Sequence, residues 1–96
     1  MNSQETEILI VGSGIIGLAH AYEAAKAGKK VVVVEKNARP LGASIRNFGL
    51  IWPIGQAPGT AFSMALRSVH VWKRLSKEAG FWLKDTGAIF IAKHQQ

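Results

Sequence analysis

Apolar and polar positions divide the start of the chain into three short elements. Ile8 to Val11 is a β-branched apolar run that ends at a glycine, which predicts a buried strand. The alanine-rich stretch from Ile15 to Ala27 predicts a helix, and Gly28 follows where a C-terminal helix cap is favoured. Val31 to Val34 predicts a second strand, buried on both faces. Such a strand–helix–strand unit favours parallel pairing and a right-handed crossover.

The pattern changes after the second predicted strand. The segment from Asn37 to Gly59 holds all three prolines of the chain and four of its glycines. No period of 2 or 3.6 runs through it, so we predict a long loop, and a long loop in a compact domain is usually functional or disordered. Its apolar residues are too numerous for a linker and indicate packing against a large partner. They are Ile45, Phe48, Leu50, Ile51, Trp52 and Ile54.

Helical periodicity returns in the last third of the chain. Apolar residues from Thr60 onward form one stripe, which predicts a helix that Gly80 ends. Phe81 to Leu83 and Ala88 to Ala92 predict two short strands around an Asp85–Gly87 turn, which together would make a terminal β-hairpin. The predicted fold class is therefore α/β, a partial Rossmann-like domain with a strand–helix–strand unit, a long loop, a helix and a hairpin.

Composition narrows the classes of function. Hydrophobic residues make up 48% of the chain, which favours a globular fold, and the absence of cysteine excludes disulfides and thiolate sites. The net charge is +6, but the basic residues are scattered, so we do not expect nucleic-acid binding. The apolar run from Ile8 to Ala19 is too short to cross a bilayer, so we expect no membrane span. The acidic start, Met1 to Glu7, is unlike a secretory signal, and we expect a cytoplasmic protein. No histidine spacing is typical of a metal site.

A glycine-rich loop connects the first predicted strand to the first predicted helix. It reads Gly12-Ser13-Gly14-Ile15-Ile16-Gly17, the pattern G-x-G-x-x-G. Gly12 permits the tight turn out of the strand, Gly14 lets a pyrophosphate approach the backbone, and Gly17 lets the helix pack closely on the strand. The phosphates would bind the free amides at the start of the helix, near Ile15 and Ile16. Ser13 is either a phosphate ligand or simply small.

An acidic residue ends the second predicted strand. Glu35 lies 21 residues beyond Gly14, near the interval of about 20 that is typical of dinucleotide-binding folds. Its carboxylate would accept hydrogen bonds from the two ribose hydroxyls of an adenosine and would repel a 2′-phosphate. The alternative is a surface acid paired with Lys36. We include both Glu35 and Lys36 in the predicted cofactor site.

The segment after Glu35 resembles the second cofactor-contacting stretch of the D-amino-acid oxidase family, which includes glycine and sarcosine oxidases. The family pattern is an acid at the end of the second strand followed by G-x-S-x-x-N-x-G. Gly42, Ser44, Asn47 and Gly49 occupy those positions here. The stretch from Glu78 to Phe81 and that from Thr86 to Ala92 are also similar to the family. The resemblance covers nearly the whole chain.

This resemblance implies FAD as the cofactor and oxidation of a small amine or amino acid at its C–N bond. Small residues in this segment let backbone amides approach the cofactor, and Arg46 and Asn47 can donate hydrogen bonds to phosphate or to the flavin edge. The stretch from Ser44 to Gln56 is also similar to a subgroup proposed to act in organophosphonate breakdown, which implies an aminophosphonate-type substrate. No catalytic residue is assigned.

The family's substrate-binding residues and last cofactor-binding strand have no counterpart here. We therefore expect the chain to be the N-terminal part of the cofactor-binding domain, with 81–96 as the start of a substrate domain. We also expect this fragment to be inactive alone and to self-associate through its exposed apolar surface. Two alternatives stay open: an NAD-dependent dehydrogenase domain, which predicts another strand–helix repeat soon after Glu35, and a non-catalytic nucleotide-binding or interaction module.

Overall fold

The fold is described by a computed structural model, which covers residues 5–91 and 93. The elements in chain order are β1 (Ile8–Val11), α1 (Ile15–Lys26), β2 (Val31–Val34), a short 3₁₀ helix (Ala43–Ile45) and α2 (Thr60–Ala79). The chain divides into two compact units between Phe48 and Gly49. The first unit holds both strands, α1 and the 3₁₀ helix, and the second holds α2. None of the described helices has the length and apolarity needed to cross a membrane.

The two strands form a parallel sheet, as the sequence predicts. Ile8 lies opposite Val31, and the register continues without a break to Val11 opposite Val34. One further bond, from the Gly12 amide to the Val34 carbonyl (2.7 Å), extends the ladder into the glycine loop. The carboxyl ends of β1 and β2 therefore reach the same edge of the sheet. This register places the glycine loop beside the residue that follows β2.

Helix α1 ends where its glycine permits a left-handed turn. Gly28 has a φ of +77°, a conformation that side chains with a Cβ disfavour. Its amide donates to the carbonyl of Ala25 (2.9 Å), and the amide of Lys29 donates to that of Ala24 (3.1 Å). These two bonds form a Schellman motif, which satisfies carbonyls that the helix leaves open. The helix thus ends at Lys26, one residue before the predicted end.

The prediction that β2 is buried on both faces is wrong. Among the described residues no side chain is buried, and Val34 is 42% exposed. Val11 of β1 is 82% exposed. A two-stranded sheet with one helix in contact with it has too few layers to cover both faces, since α1 is the only described helix in the first unit besides the 3₁₀ helix. A run of four valines is typical of a strand in a sheet that has more than two strands and is covered on both faces.

The second unit consists of irregular segments around α2. Gly80 ends the helix, as predicted. It adopts the left-handed conformation, and its amide donates to the Ser76 carbonyl (2.9 Å). Beyond the helix end, Phe81 packs edge-on against Trp72, with ring centroids 6.1 Å apart. Lys73 forms an ion pair with Asp85 (2.6 Å). The chain after α2 is thus anchored to the helix by this aromatic contact, this ion pair and a hydrogen bond from the Ser76 hydroxyl to the Phe81 carbonyl (2.7 Å).

The predicted terminal hairpin is wrong in the part of the chain that the structure describes. Residues 81–91 contain no strand, although Gly87 has the positive φ (+69°) expected of a turn residue. Ile89 and Ile91 are 90% and 85% exposed. Ala92, the last residue of the predicted second strand, lies outside the described residues. An isolated two-stranded hairpin is marginally stable in water, and no described strand of this unit is available to extend it.

We predict that Gly17→Ala destabilises the first unit. A Cβ at Gly17 would overlap the carbonyl oxygen of Gly12 and lie 3.3 Å from Cγ2 of Ile10. An alanine inside a helix normally stabilises it, but overpacking of this kind costs about 1–3 kcal/mol. Thermal unfolding followed by circular dichroism should show a lower melting temperature. The matched control is Gly42→Ala, where a Cβ meets no atom within 4 Å. Equal melting temperatures for the two variants would contradict the close packing of α1 on the loop.

Candidate functional site

The glycine loop turns the chain sharply from β1 into α1. Gly12 has a φ of +100°, which residues with a Cβ rarely adopt. Gly14 follows in an extended conformation (φ −67°, ψ 173°) as the N-cap of the helix. Gly14 caps the helix with its backbone alone, because glycine has no side chain that could accept a hydrogen bond from a helix amide. The open amides at the start of α1 must therefore find partners from elsewhere.

The start of α1 is a cradle of unpaired amides. The first bond of the helix runs from the Leu18 amide to the Gly14 carbonyl (2.9 Å). The amides of Ile16 and Gly17 precede this bond and have no partner inside the helix. They point out of the positive end of the helix dipole, where an anion is stabilised. This geometry fits a phosphate group and needs no lysine in the loop.

Ser44 closes one side of this cradle. Its Oγ accepts the amide hydrogen of Ile15 (2.8 Å), so a residue 29 positions along the chain caps the helix. The fit is close, because a Cβ on Gly14 would lie 3.2 Å from the same Oγ. A hydroxyl that accepts one hydrogen bond can still donate its own proton. Ser44 can therefore donate to an oxygen of a phosphate bound at the helix start.

The 3₁₀ helix presents Ser44 in this position. Nδ2 of Asn47 donates to the carbonyls of Ser44 (3.0 Å) and Ala43 (3.4 Å), which ties the end of the short helix to its start. In this structure the Asn47 amide thus supports the segment that carries Ser44. Arg46 directly precedes it, with an exposed side chain.

Glu35 lies at the carboxyl end of β2 and contacts the glycine loop. Its Oε2 accepts two hydrogen bonds from Ser13, one from the backbone amide (3.0 Å) and one from the hydroxyl (3.1 Å). Its Oε1 accepts two from Asn37, one from the backbone amide (3.2 Å) and one from Nδ2 (3.4 Å). The Ser13 hydroxyl is therefore directed at Glu35. The neighbouring Lys36 is exposed.

These hydrogen bonds favour the ionised form of Glu35. The backbone amide of Ser13 has the largest effect and the amide of Asn37 the next, and together they lower the pKa of the Glu35 carboxyl below its usual 4.5. Partial burial acts in the opposite direction and is outweighed. The carboxylate is consequently charged at neutral pH and acts as a hydrogen-bond acceptor.

A groove of about 870 Å³ runs along β1 and the start of α1. It brings together seven of the predicted cofactor residues: Gly12, Gly14, Ile15, Ile16, Gly17, Ser44 and Asn47. Ser13 and Glu35 contact each other beside it, at the carboxyl edge of the sheet. Gly49 begins the second unit, where it has a positive φ of +65°. The first unit therefore carries the groove.

Two polar residues in and beside the site, Asn37 and His20, were not among the predicted cofactor residues. Asn37 donates twice to Glu35. The signal in the sequence is the tendency of asparagine to form hydrogen bonds with nearby groups in a turn. His20 lines the groove, with its Nδ1 2.8 Å from the carbonyl oxygen of Ile16, one helical turn earlier. No histidine or acid–histidine spacing in the sequence indicates a site at His20, so the sequence predicts an ordinary helix residue there.

Comparisons with known proteins relate the chain to a protein family and to two characterised enzymes. Residues 7–96 match the DAO family, described as FAD-dependent oxidoreductases. The chain is 37% identical to a glycine oxidase of Bacillus licheniformis over 92% of this chain and 23% of that protein. It is 46% identical to a D-amino acid dehydrogenase of Helicobacter pylori over 54% of this chain and 13% of that protein. The chain thus spans under a quarter of the length of these relatives. No solved structure is significantly similar to it.

We predict that Ser44→Ala destabilises the first unit and leaves its fold intact. Removal of the hydroxyl leaves the Ile15 amide without its cap, and the loss of an N-cap typically costs about 1 kcal/mol. The expected result is a modestly lower melting temperature by circular dichroism. Ser44→Thr keeps the hydroxyl and is the matched control. A Ser44→Ala variant as stable as Ser44→Thr would contradict the capping role.

Proposed function

Since the chain belongs to the DAO family of FAD-dependent oxidoreductases, we propose that its first unit binds the adenosine diphosphate part of FAD in an enzyme that oxidises a small amine or amino acid. In this proposal, residues 1–96 are the N-terminal part of the cofactor-binding domain, with 81–96 at the start of the substrate domain. The single observation that carries the proposal is the meeting of the amide cradle and Glu35 at one sheet edge.

The residues present fit the adenosine diphosphate part of FAD. The amides of Ile16 and Gly17 suit the pyrophosphate, and the Ser44 hydroxyl can add a further donor. The Glu35 carboxylate accepts a hydrogen bond from the Ser13 amide of the loop, and its pKa is lowered. An ionised carboxylate at this place is suited to accept hydrogen bonds from ribose hydroxyls. The alternative of an NAD-dependent domain loses support, because no described strand–helix repeat follows β2 within the first unit and the family is FAD-dependent.

The remaining predicted cofactor residues are assigned by the same proposal. Arg46 and Lys36 are exposed cations on either side of the 37–45 segment and can contact phosphate or the adenosine end. Asn47 acts by holding the 3₁₀ helix that carries Ser44. Gly49 permits the positive φ with which the chain leaves the first unit.

The reaction proposed for the whole enzyme is oxidation at a C–N bond. When bound, the flavin would supply the oxidising chemistry, as the acceptor of a hydride from the carbon next to nitrogen. The names of the relatives, glycine oxidase and D-amino acid dehydrogenase, support an amino acid or small amine as the substrate class. An aminophosphonate-type amine is the narrower proposal. The role of this chain is to hold and orient the cofactor, and we assign it no acid or base.

The first test of this proposal is cofactor binding by the Glu35→Ala variant. Loss of a charged acceptor of ribose hydroxyls should weaken FAD binding on the order of tenfold to a hundredfold. Isothermal titration with FAD measures the change, and circular dichroism verifies that helix content is kept. Glu23→Ala, on the exposed face of α1, is the matched control and should bind as the parent chain does. If the two variants bind FAD equally, Glu35 is an ordinary surface acid.

Self-association is a second part of the proposal, and it concerns this chain in isolation. Large apolar side chains are exposed in both units, among them Val11 (82%), Phe48 (94%) and Trp82 (84%). Both edges of the two-stranded sheet also lack a further strand in the described residues. Exposed apolar surface and open strand edges both favour association.

We predict that the 96-residue chain forms oligomers at micromolar concentration and does not oxidise glycine, sarcosine or D-amino acids when FAD is added. The first expectation follows because exposed apolar side chains gain by mutual burial. The second follows because the chain spans only 23% of the length of the glycine oxidase that it matches. Sedimentation equilibrium and an oxygen-uptake assay measure the two properties. A monomer at tens of micromolar with measurable turnover would contradict both expectations.

A further inference from the structure

The carboxylate of Glu35 is saturated with hydrogen bonds. Its two oxygens present about four lone-pair positions, and four donors occupy them. Each oxygen accepts two hydrogen bonds from a single residue, one from its backbone amide and one from its side chain. Ser13 supplies both donors to Oε2, and Asn37 supplies both donors to Oε1.

This saturation matters because the proposed ligand needs the same lone pairs. Our inference rests on the proposed function, in which Glu35 accepts hydrogen bonds from the two hydroxyls of the adenosine ribose. A diol that donates twice requires two acceptor positions on the carboxylate. All four positions are taken in the described structure, so two of the present donors have to leave before the ribose is bound.

The backbone donors are poorly suited to leave. The Ser13 amide directly follows Gly12, whose own amide is fixed in the sheet ladder by its bond to the Val34 carbonyl. The Asn37 amide lies two residues from Glu35 in the same turn. Movement of either amide would require a change in the backbone, whereas a side chain leaves by rotation about χ1.

The donor–acceptor distances also distinguish the backbone donors from the side-chain donors. At Oε2 the backbone bond is 3.0 Å and the hydroxyl bond is 3.1 Å. At Oε1 the backbone bond is 3.2 Å and the carboxamide bond is 3.4 Å. At each oxygen the side-chain bond is the longer one, and a longer hydrogen bond is the weaker one. Each oxygen therefore has one fixed donor and one replaceable donor.

We infer that the Ser13 hydroxyl and the Asn37 carboxamide are placeholders for the cofactor's ribose. In the described structure they hold the carboxylate in its orientation, one at each oxygen. Each is displaced by one ribose hydroxyl on binding, while the two backbone amides stay in place. Ser13 and Asn37 are thus positioning residues that compete with the ligand, and they set its affinity by how tightly they hold the acceptor.

From this inference we predict that two substitutions within the site increase the affinity for ADP, although substitutions in a binding site usually decrease affinity. Ser13→Ala or Asn37→Ala removes a competitor for Glu35 and keeps the backbone donor at the same oxygen. The affinity for ADP, which carries the ribose and the diphosphate, should therefore rise in each variant. The expected gain is roughly twofold to tenfold, the range of one side-chain hydrogen bond exchanged for water. A supporting contact to the cofactor or a purely structural role would lower the affinity or leave it unchanged.

The experiment measures the dissociation constant of ADP by isothermal titration for the chain and the two single variants. The same series is repeated with 2′,3′-dideoxy-ADP, which lacks both ribose hydroxyls and so displaces neither placeholder. The gain seen with ADP should vanish with the dideoxy ligand, as in a double-mutant cycle between side chain and ligand group. Ser63→Ala in the exposed part of α2 is the control and should change neither constant. Melting curves verify that each variant is folded.

Tighter ADP binding in either variant, lost with the dideoxy ligand, supports the placeholder role of that side chain. Unchanged or weaker ADP binding in both variants overturns it. A gain that persists with the dideoxy ligand also overturns it, because the ribose hydroxyls would then not be the competitors. Failure of the proposed function is seen separately, since Glu35→Ala would then leave ADP affinity unchanged.

Discussion

The Gly12 carbonyl lies so close to Gly17 that no side-chain carbon fits between them. This contact sets how near the start of α1 comes to the end of β1, and the rest of the site follows from it. Because the helix begins against the loop, its unpaired amides face the sheet edge where β2 also ends. Glu35 is then near enough to accept a bond from the Ser13 amide. One steric constraint thus brings an anion cradle and a carboxylate together.

A second constraint closes the site from outside the strand–helix–strand unit. Gly14 has no side chain with which to cap its own helix, and Ser44 supplies the cap from the 3₁₀ helix. Because Gly14 has no Cβ, the Ser44 hydroxyl can approach the start of the helix without a close contact. The glycine motif therefore determines two features of the site. It exposes amides to a phosphate, and it admits the segment that forms the wall of the groove.

The sequence predicts the local elements of the first unit well, because their signals are local. The β-branched runs, Gly28 and the spacing of Glu35 from Gly14 each depend on a few neighbouring residues. Burial of β2 and the terminal hairpin depend on layers and strands that the described residues do not supply, so those predictions are wrong. The pairing of Ser44 with Ile15 spans 29 residues and has no periodic signal. The Asn37 contacts with Glu35 depend on rotamers, which a sequence pattern does not specify.

The most direct test of the central claim is a titration of the ¹⁵N-labelled chain with ADP, followed by amide chemical shifts. In the proposed site, the ligand's phosphates lie at the start of α1 and its ribose lies beside Glu35. We therefore predict that the largest shift changes fall on the amides of residues 12–17, with a second group at 35–37. Changes concentrated within residues 49–91, or no saturable change at millimolar ADP, would contradict it.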